Sequence, residues 1–131
     1  MELHLKIIGI SLMILGCIHI IFPKYFDWKK ELSSLSLINR QVMYIHTFFI
    51  ALIVFLMGWL CFTEARELIT TSLGKKVAAG LGIFWVVRLI FQFFGYSSEL
   101  WKGKAFETIV HIIFSIFWTY ISLVFLWIGF Q

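Results

Sequence analysis

The stretch Phe84–Tyr96, FWVVRLIFQFFGY, decides how this chain is read. It is an apolar, aromatic-rich run with one arginine, Arg88, inside it. Placing an arginine at the centre of a bilayer costs about 2.5–3.5 kcal/mol on insertion scales, so Arg88 has to face protein or a water-filled cavity rather than lipid. Trp85, Arg88 and Gln92 recur at i, i+3 and i+7, so a helix carries all three on one face. A polar face on an apolar helix implies neighbouring helices that cover it.

The composition around this stretch points the same way. Of 131 residues, 61% are hydrophobic and only 14% are charged, and mean hydropathy is +0.95. Soluble domains carry about 25% charged residues, and a chain this apolar cannot cover its own surface with polar groups. The formal charge of +4 comes from lysines and arginines between the apolar runs. They form no basic stripe, which argues against nucleic acid and for lipid headgroups as neighbours.

Four runs are long enough to cross a bilayer, at about 3–22, 41–62, 77–96 and 105–130. The expected fold is therefore all-α, a bundle of four transmembrane helices forming a single membrane domain over 1–131. The first run ends at Pro23 and lacks the cleavage site of a signal peptide. Tyr25, Trp28, Leu32 and Leu35 follow at i, i+3, i+7 and i+10, with Lys29, Lys30 and Ser33 between them. That pattern predicts a short amphipathic helix lying in the interface between helices one and two. Gly9 and Gly16 mark a small-residue face on the first helix, and Thr47, Ala51 and Gly58 mark one on the second. Gly74 is expected to act as a breaker in the second connection, Thr63 to Lys76. Cys17 and Cys61 lie in separate apolar runs with no CxxC, which predicts free, buried thiols. Glu107, His111, Ser115, Thr119 and Ser122 form a polar stripe along the fourth helix, expected to lie against protein.

Alternation of the four crossings brings polar residues to one depth. His19 ends helix one, Asn39, Arg40 and His46 open helix two, Arg88 and Gln92 end helix three, and Glu107 and His111 open helix four. At 1.5 Å per residue these fall in a layer roughly 5–12 Å below one membrane face. Three uses of such a layer are open. Arg88, Gln92, Trp85, His46, His111, Glu107, Asn39 and Arg40 could line a site for a hydrophobic or anionic ligand, lipid or quinone-like, with a redox or lipid-modifying activity open. His19, His46 and His111 could ligate a transition metal, completed by Glu107 or water, or two of them could hold haem iron. Alternatively, the polar groups are interhelical contacts, Arg88 pairs with Glu107, and the protein is a structural or accessory subunit that recruits partner membrane subunits or its own copies. No HExxH, GxSxG, P-loop or GxGxxG is present, and no nucleophile–base pair stands out.

The segments Leu37-Ile38-Asn39-Arg40-Gln41 with His46, and Phe84-Trp85-x-x-Arg88-Leu89-x-x-Gln92-Phe93-Phe94, resemble a group of small bacterial four-helix membrane proteins. The resemblance covers most of the chain. It implies a four-helix fold in a bacterial cytoplasmic membrane and carries no activity. The chain does not resemble the cysteine-based quinone reductases, which need the CxxC that is missing here. Lysines and arginines flanking the polar layer outnumber those on the other side, which predicts that the layer faces the cytoplasm and both termini lie outside.

Overall fold

The structure, a computed structural model, describes all 131 residues. Every regular element is helical. In chain order they are α1 (Glu2–Ile18), α2 (Phe22–Tyr25), α3 (Trp28–Glu31), α4 (Leu37–Thr63), α5 (Ala65–Thr70), α6 (Ser72–Phe94) and α7 (Ala105–Gly129). Four helical stretches are long and apolar enough to span a bilayer: Glu2–Tyr25, Leu37–Thr63, Ser72–Phe94 and Ala105–Gly129. The chain is thus an all-α integral membrane protein with four membrane-spanning helices. Its residues form two compact units, Met1–Ala65 and Arg66–Gln131.

In the first unit α1 packs antiparallel on α4. The contact face of α1 is Leu5, Ile8, Gly9, Leu12, Leu15 and Gly16, a stripe at helical spacing. It meets Ala51, Val54, Gly58 and Cys61 of α4. Two points of close approach set the pair. A methyl placed on Gly9 would lie 2.7 Å from the Gly58 carbonyl oxygen, and one on Gly16 would lie 2.9 Å from that of Ala51. The small-residue faces legible in the sequence are therefore spent on this pair, where they let two backbones touch.

The connection between these helices is helical, but it is not one amphipathic helix. A 3-10 turn at His19–Ile21 runs into α2, with Pro23 in its first turn. Proline is tolerated there because the first N–H groups of a helix have no partner to lose. The first span therefore continues past Pro23. Asp27 then takes a left-handed conformation, φ 48°, and separates α2 from α3. The break takes Tyr25 and Leu35 out of the expected stripe and leaves both exposed, while Trp28 turns in, buried, edge-on to Tyr44 at 5.3 Å. Ser36 accepts a hydrogen bond from the Asn39 amide and starts α4 four residues earlier than the hydropathy suggests.

In the second unit α6 packs antiparallel on α7. Gly74 does not break the chain. Its N–H donates to the capping Thr71 Oγ1 at 2.9 Å, and it sits inside the first turn of α6 against Glu67 and Leu68 of α5. A side chain there would collide with the α5 backbone, so this glycine permits a tight helical corner. Ala79 meets Gly129, and Gly82 meets Leu126, at the far end of the pair. Gly103, at φ +77°, turns the chain from the 3-10 turn Ser98–Leu100 into α7. Both cysteines are free, but only Cys61 is buried; Cys17 lies on the exposed side of α1.

Candidate functional site

The antiparallel pairing of α6 and α7 sets the C-terminal half of one against the N-terminal half of the other. Gln92 faces His111, and Trp85 faces Trp118. Arg88 lies between these two levels. Its Nη1 donates to Gln92 Oε1 at 3.2 Å. The other end of the same amide, Gln92 Nε2, lies 2.8 Å from His111 Nδ1. Gln92 is 7% exposed, so this polar chain crosses the interface between the helices away from lipid.

Aromatic rings enclose the chain. The Arg88 guanidinium lies 5.2 Å from the Trp118 ring centre and 5.8 Å from that of Tyr96, within range of cation–π attraction to each. Trp118 stacks on Trp85 at 4.7 Å with 11° between planes. Both indole Nε1 atoms are buried without a hydrogen-bond partner. The His111 ring stacks on Trp101 at 3.9 Å and 7°, and meets Phe93 edge-on at 6.1 Å. Thr108 Oγ1 donates to the Trp101 carbonyl at 2.6 Å, which fastens the connecting segment over His111.

The other side of Arg88 borders a groove of about 460 Å³, lined by Phe84, Val87, Arg88, Phe91, Gly95 and Tyr96. Phe84, Val87, Arg88 and Phe91, at i, i+3, i+4 and i+7, form a second face of α6, and Gly95 and Tyr96 extend it just past the helix end. The lining is apolar apart from the arginine and the tyrosine hydroxyl. A methyl on Gly95 would lie 2.8 Å from the Phe91 ring, so the ring packs over this glycine. Arg88 thus stands between a buried amide and an open apolar groove.

Of the residues expected in one polar layer, Arg88, Gln92, Trp85 and His111 come together here. Glu107 is one turn before His111 but exposed, and it does not pair with Arg88, whose partners are Gln92 and the two rings. The remaining four belong to the first unit. His19 turns its Nδ1 onto the Leu15 carbonyl at 2.7 Å and its ring onto Phe22 at 4.6 Å. His46 is exposed, as is Asn39, while Arg40 is half-buried at the start of α4. No three His, Cys, Asp or Glu side chains gather into a metal-binding group. His19 and His46 lie in the first unit and His111 in the second, and no metal-binding group forms around any of them. His19 Nδ1 is held by the Leu15 carbonyl, and His111 Nδ1 by Gln92. The expected stripe on α7 is also largely self-satisfied. Ser115 and Thr119 donate to carbonyls four residues back, at 2.7 and 2.8 Å, and Ser122 does the same to Trp118 at 2.7 Å.

Three participants escape the sequence pattern: Trp101, Trp118 and Tyr96. Trp118 has a signal in retrospect, since His111, Ser115, Trp118 and Ser122 keep one face of α7 better than a stripe through Thr119 does. Trp101 has none, because its place depends on the turn at Gly103.

The fold and site define an integral membrane protein with a half-buried arginine–amide–imidazole chain beside an apolar groove. No protein-family model, curated protein or solved structure matches the chain.

Proposed function

We propose that this membrane protein binds an amphiphile, a lipid or a quinone-like molecule, with an anionic or hydrogen-bond-accepting head at Arg88 and its apolar body in the groove along α6. The observation that carries this reading is the company Arg88 keeps. A cation held within a membrane span would ordinarily be paired with an acid. Here its only hydrogen-bond acceptor is the neutral amide of Gln92, and its charge is uncompensated. The groove on its open side is lined by Phe84, Val87 and Phe91, which suit an acyl chain or a ring. Arginine's planar, permanently charged donor set fits a carboxylate, phosphate or carbonyl head.

Gly9, Gly16, Ala51 and Gly58 face one another within the α1–α4 pair, so an accessory-subunit role would need another recruiting surface. A metal or haem role has no clustered donors behind it.

The test is Arg88→Leu in the full chain, purified in mild detergent, with bound lipids and quinones extracted and identified by mass spectrometry. The variant should fold, because removing a half-buried charge relieves desolvation. It should lose the copurifying amphiphile by about 10- to 100-fold, the loss expected for one charge-assisted hydrogen bond. Its effect on thermal unfolding should simply add to that of Glu107→Gln, since the two residues are not paired. Coupling between them, or an unchanged extract, would argue against the reading.

A further inference from the structure

We propose that His111 gates Arg88: protonation of His111 releases the guanidinium to an anionic head in the groove, so that binding the guest takes up one proton. The inference rests on the ligand-binding reading above and adds its regulation.

The hydrogen bonds assign the roles. Arg88 can only donate, so the Gln92 atom 3.2 Å from it must be the carbonyl oxygen. The amide nitrogen then faces His111 Nδ1 at 2.8 Å, and because that nitrogen only donates, Nδ1 must accept. The resting state is therefore a neutral His111 with its proton on Nε2, and an Arg88 tethered to Gln92. Protonation puts a hydrogen on Nδ1, directly opposite the amide hydrogens of Gln92. Two donors cannot share that position. The Gln92 amide must turn over, offering its oxygen to His111 and its NH2 to Arg88. Arg88 thereby loses its acceptor and gains a donor in its place. The free side of Arg88 is the groove, where an anionic head can replace the lost bond.

The groups around His111 support this direction. From α6 it meets Gln92, with Arg88 behind it, and the edge of Phe93. From the connection it meets the face of Trp101, an indole ring able to hold an imidazolium by cation–π attraction. That connection also carries Glu99, Lys102 and Lys104, all exposed, and on α7 itself Glu107 is exposed one turn away. No carboxylate is in contact with the imidazole. Protonated His111 and Arg88 would thus be two cations bridged by one amide, an arrangement that an arriving anion relieves. Linkage makes the effect reciprocal: protons favour the guest and the guest favours protons.

The experiment uses the full chain in phosphatidylcholine nanodiscs and a fluorescent long-chain alkyl sulfonate, whose head stays ionised from pH 5 to 9. In the wild type, affinity should rise as pH falls, by up to about tenfold per pH unit where one proton is coupled. The slope should vanish in His111→Phe, which keeps the ring stack on Trp101, and for the matching alkyl alcohol. Nitrogen-15 spectra of histidine-labelled protein, assigned by difference from His111→Phe, should show His111 at high pH with Nδ1 bare and Nε2 protonated. An unchanged slope in His111→Phe, a flat wild-type profile, or the opposite tautomer overturns the gate while leaving the groove reading intact. Absence of binding at every pH, or binding indifferent to Arg88→Leu, overturns both.

Discussion

Gln92 is the residue on which the site turns, because a neutral amide there leaves Arg88 with its charge uncompensated. One atom's change tests this. Gln92→Glu places a carboxylate about where the amide oxygen now accepts from Arg88, 3.2 Å away. The internal ion pair then competes with any guest for the guanidinium. Copurified or added anionic amphiphile should fall by about 10- to 100-fold, the equivalent of a hydrogen bond to a charged group. Thermal stability in detergent should hold or rise. Gln92→Leu should instead lower stability by about 1–3 kcal/mol, since it strands a half-buried donor and acceptor together. If Gln92→Glu binds the guest as tightly as the wild type, Arg88 is not the head site. At this scale the sequence was partly legible. Helical spacing alone aligned Trp85, Arg88 and Gln92, and the cost of a membrane arginine marked the position. The partner His111 was named, but its contact was not, since spacing along one helix cannot say which residue of another lies opposite. Nor could it show that His19 would turn its Nδ1 onto the Leu15 carbonyl.

The helix pairs owe their geometry to small residues, which act here by allowing contact rather than by making it. Lipid tails are as apolar as leucine, so burial contributes little to helix association in a bilayer, and close backbone packing contributes more. A methyl on Gly58 would lie 2.5 Å from the Gly9 carbonyl oxygen and 2.8 Å from the Met13 nitrogen. Both are backbone atoms of α1 and cannot rotate away. Gly58→Ala should therefore push α1 from α4 and cost about 1–3 kcal/mol, typical of overpacking. Gly80 is the matching control, since a methyl there meets nothing within 4 Å. Gly80→Ala should be neutral or slightly stabilising, by up to about 1 kcal/mol, because alanine favours a helix interior. Thermal unfolding of both variants in detergent decides it, and equal effects would mean that the α1–α4 contact does not set stability. Element boundaries were less legible than element existence. Hydropathy found all four spans, but the capping of α4 by Ser36 and of α6 by Thr71 added polar first turns that an apolar window excludes. The single interfacial helix failed for a similar reason: periodicity cannot see that Asp27 adopts a left-handed backbone.

The spans expose many large apolar side chains. In each span 22 to 28% of the apolar window is fully buried, while Ile14, Phe49, Phe91 and Ile116 are among the large apolar side chains left exposed. The bilayer therefore completes the fold, and the direction in which the chain crosses it becomes a physical question decided by charge. Four successive crossings place the connections that follow the first and third spans on one side, and both termini with the second connection on the other. In or beside the first set, counting span ends, stand Lys24, Lys29, Lys30, Arg40, Lys102 and Lys104; in or beside the second stand Lys6, Arg66, Lys75 and Lys76. Basic residues near span ends are retained on the cytoplasmic side, and acidic residues count for little. Six against four therefore predicts that the connection bearing Trp101, and with it the Arg88 end of α6, faces the cytoplasm. A C-terminal alkaline phosphatase fusion after Gln131 should then be active, and a fluorescent protein fused there dark. Lys30→Glu with Lys29→Glu leaves four against four, and should produce mixed topology. A bright cytoplasmic reporter in the wild type would reverse the orientation. It would also move the proton supply for His111 to the outer face, where an external pH shift rather than a cytoplasmic one would release Arg88.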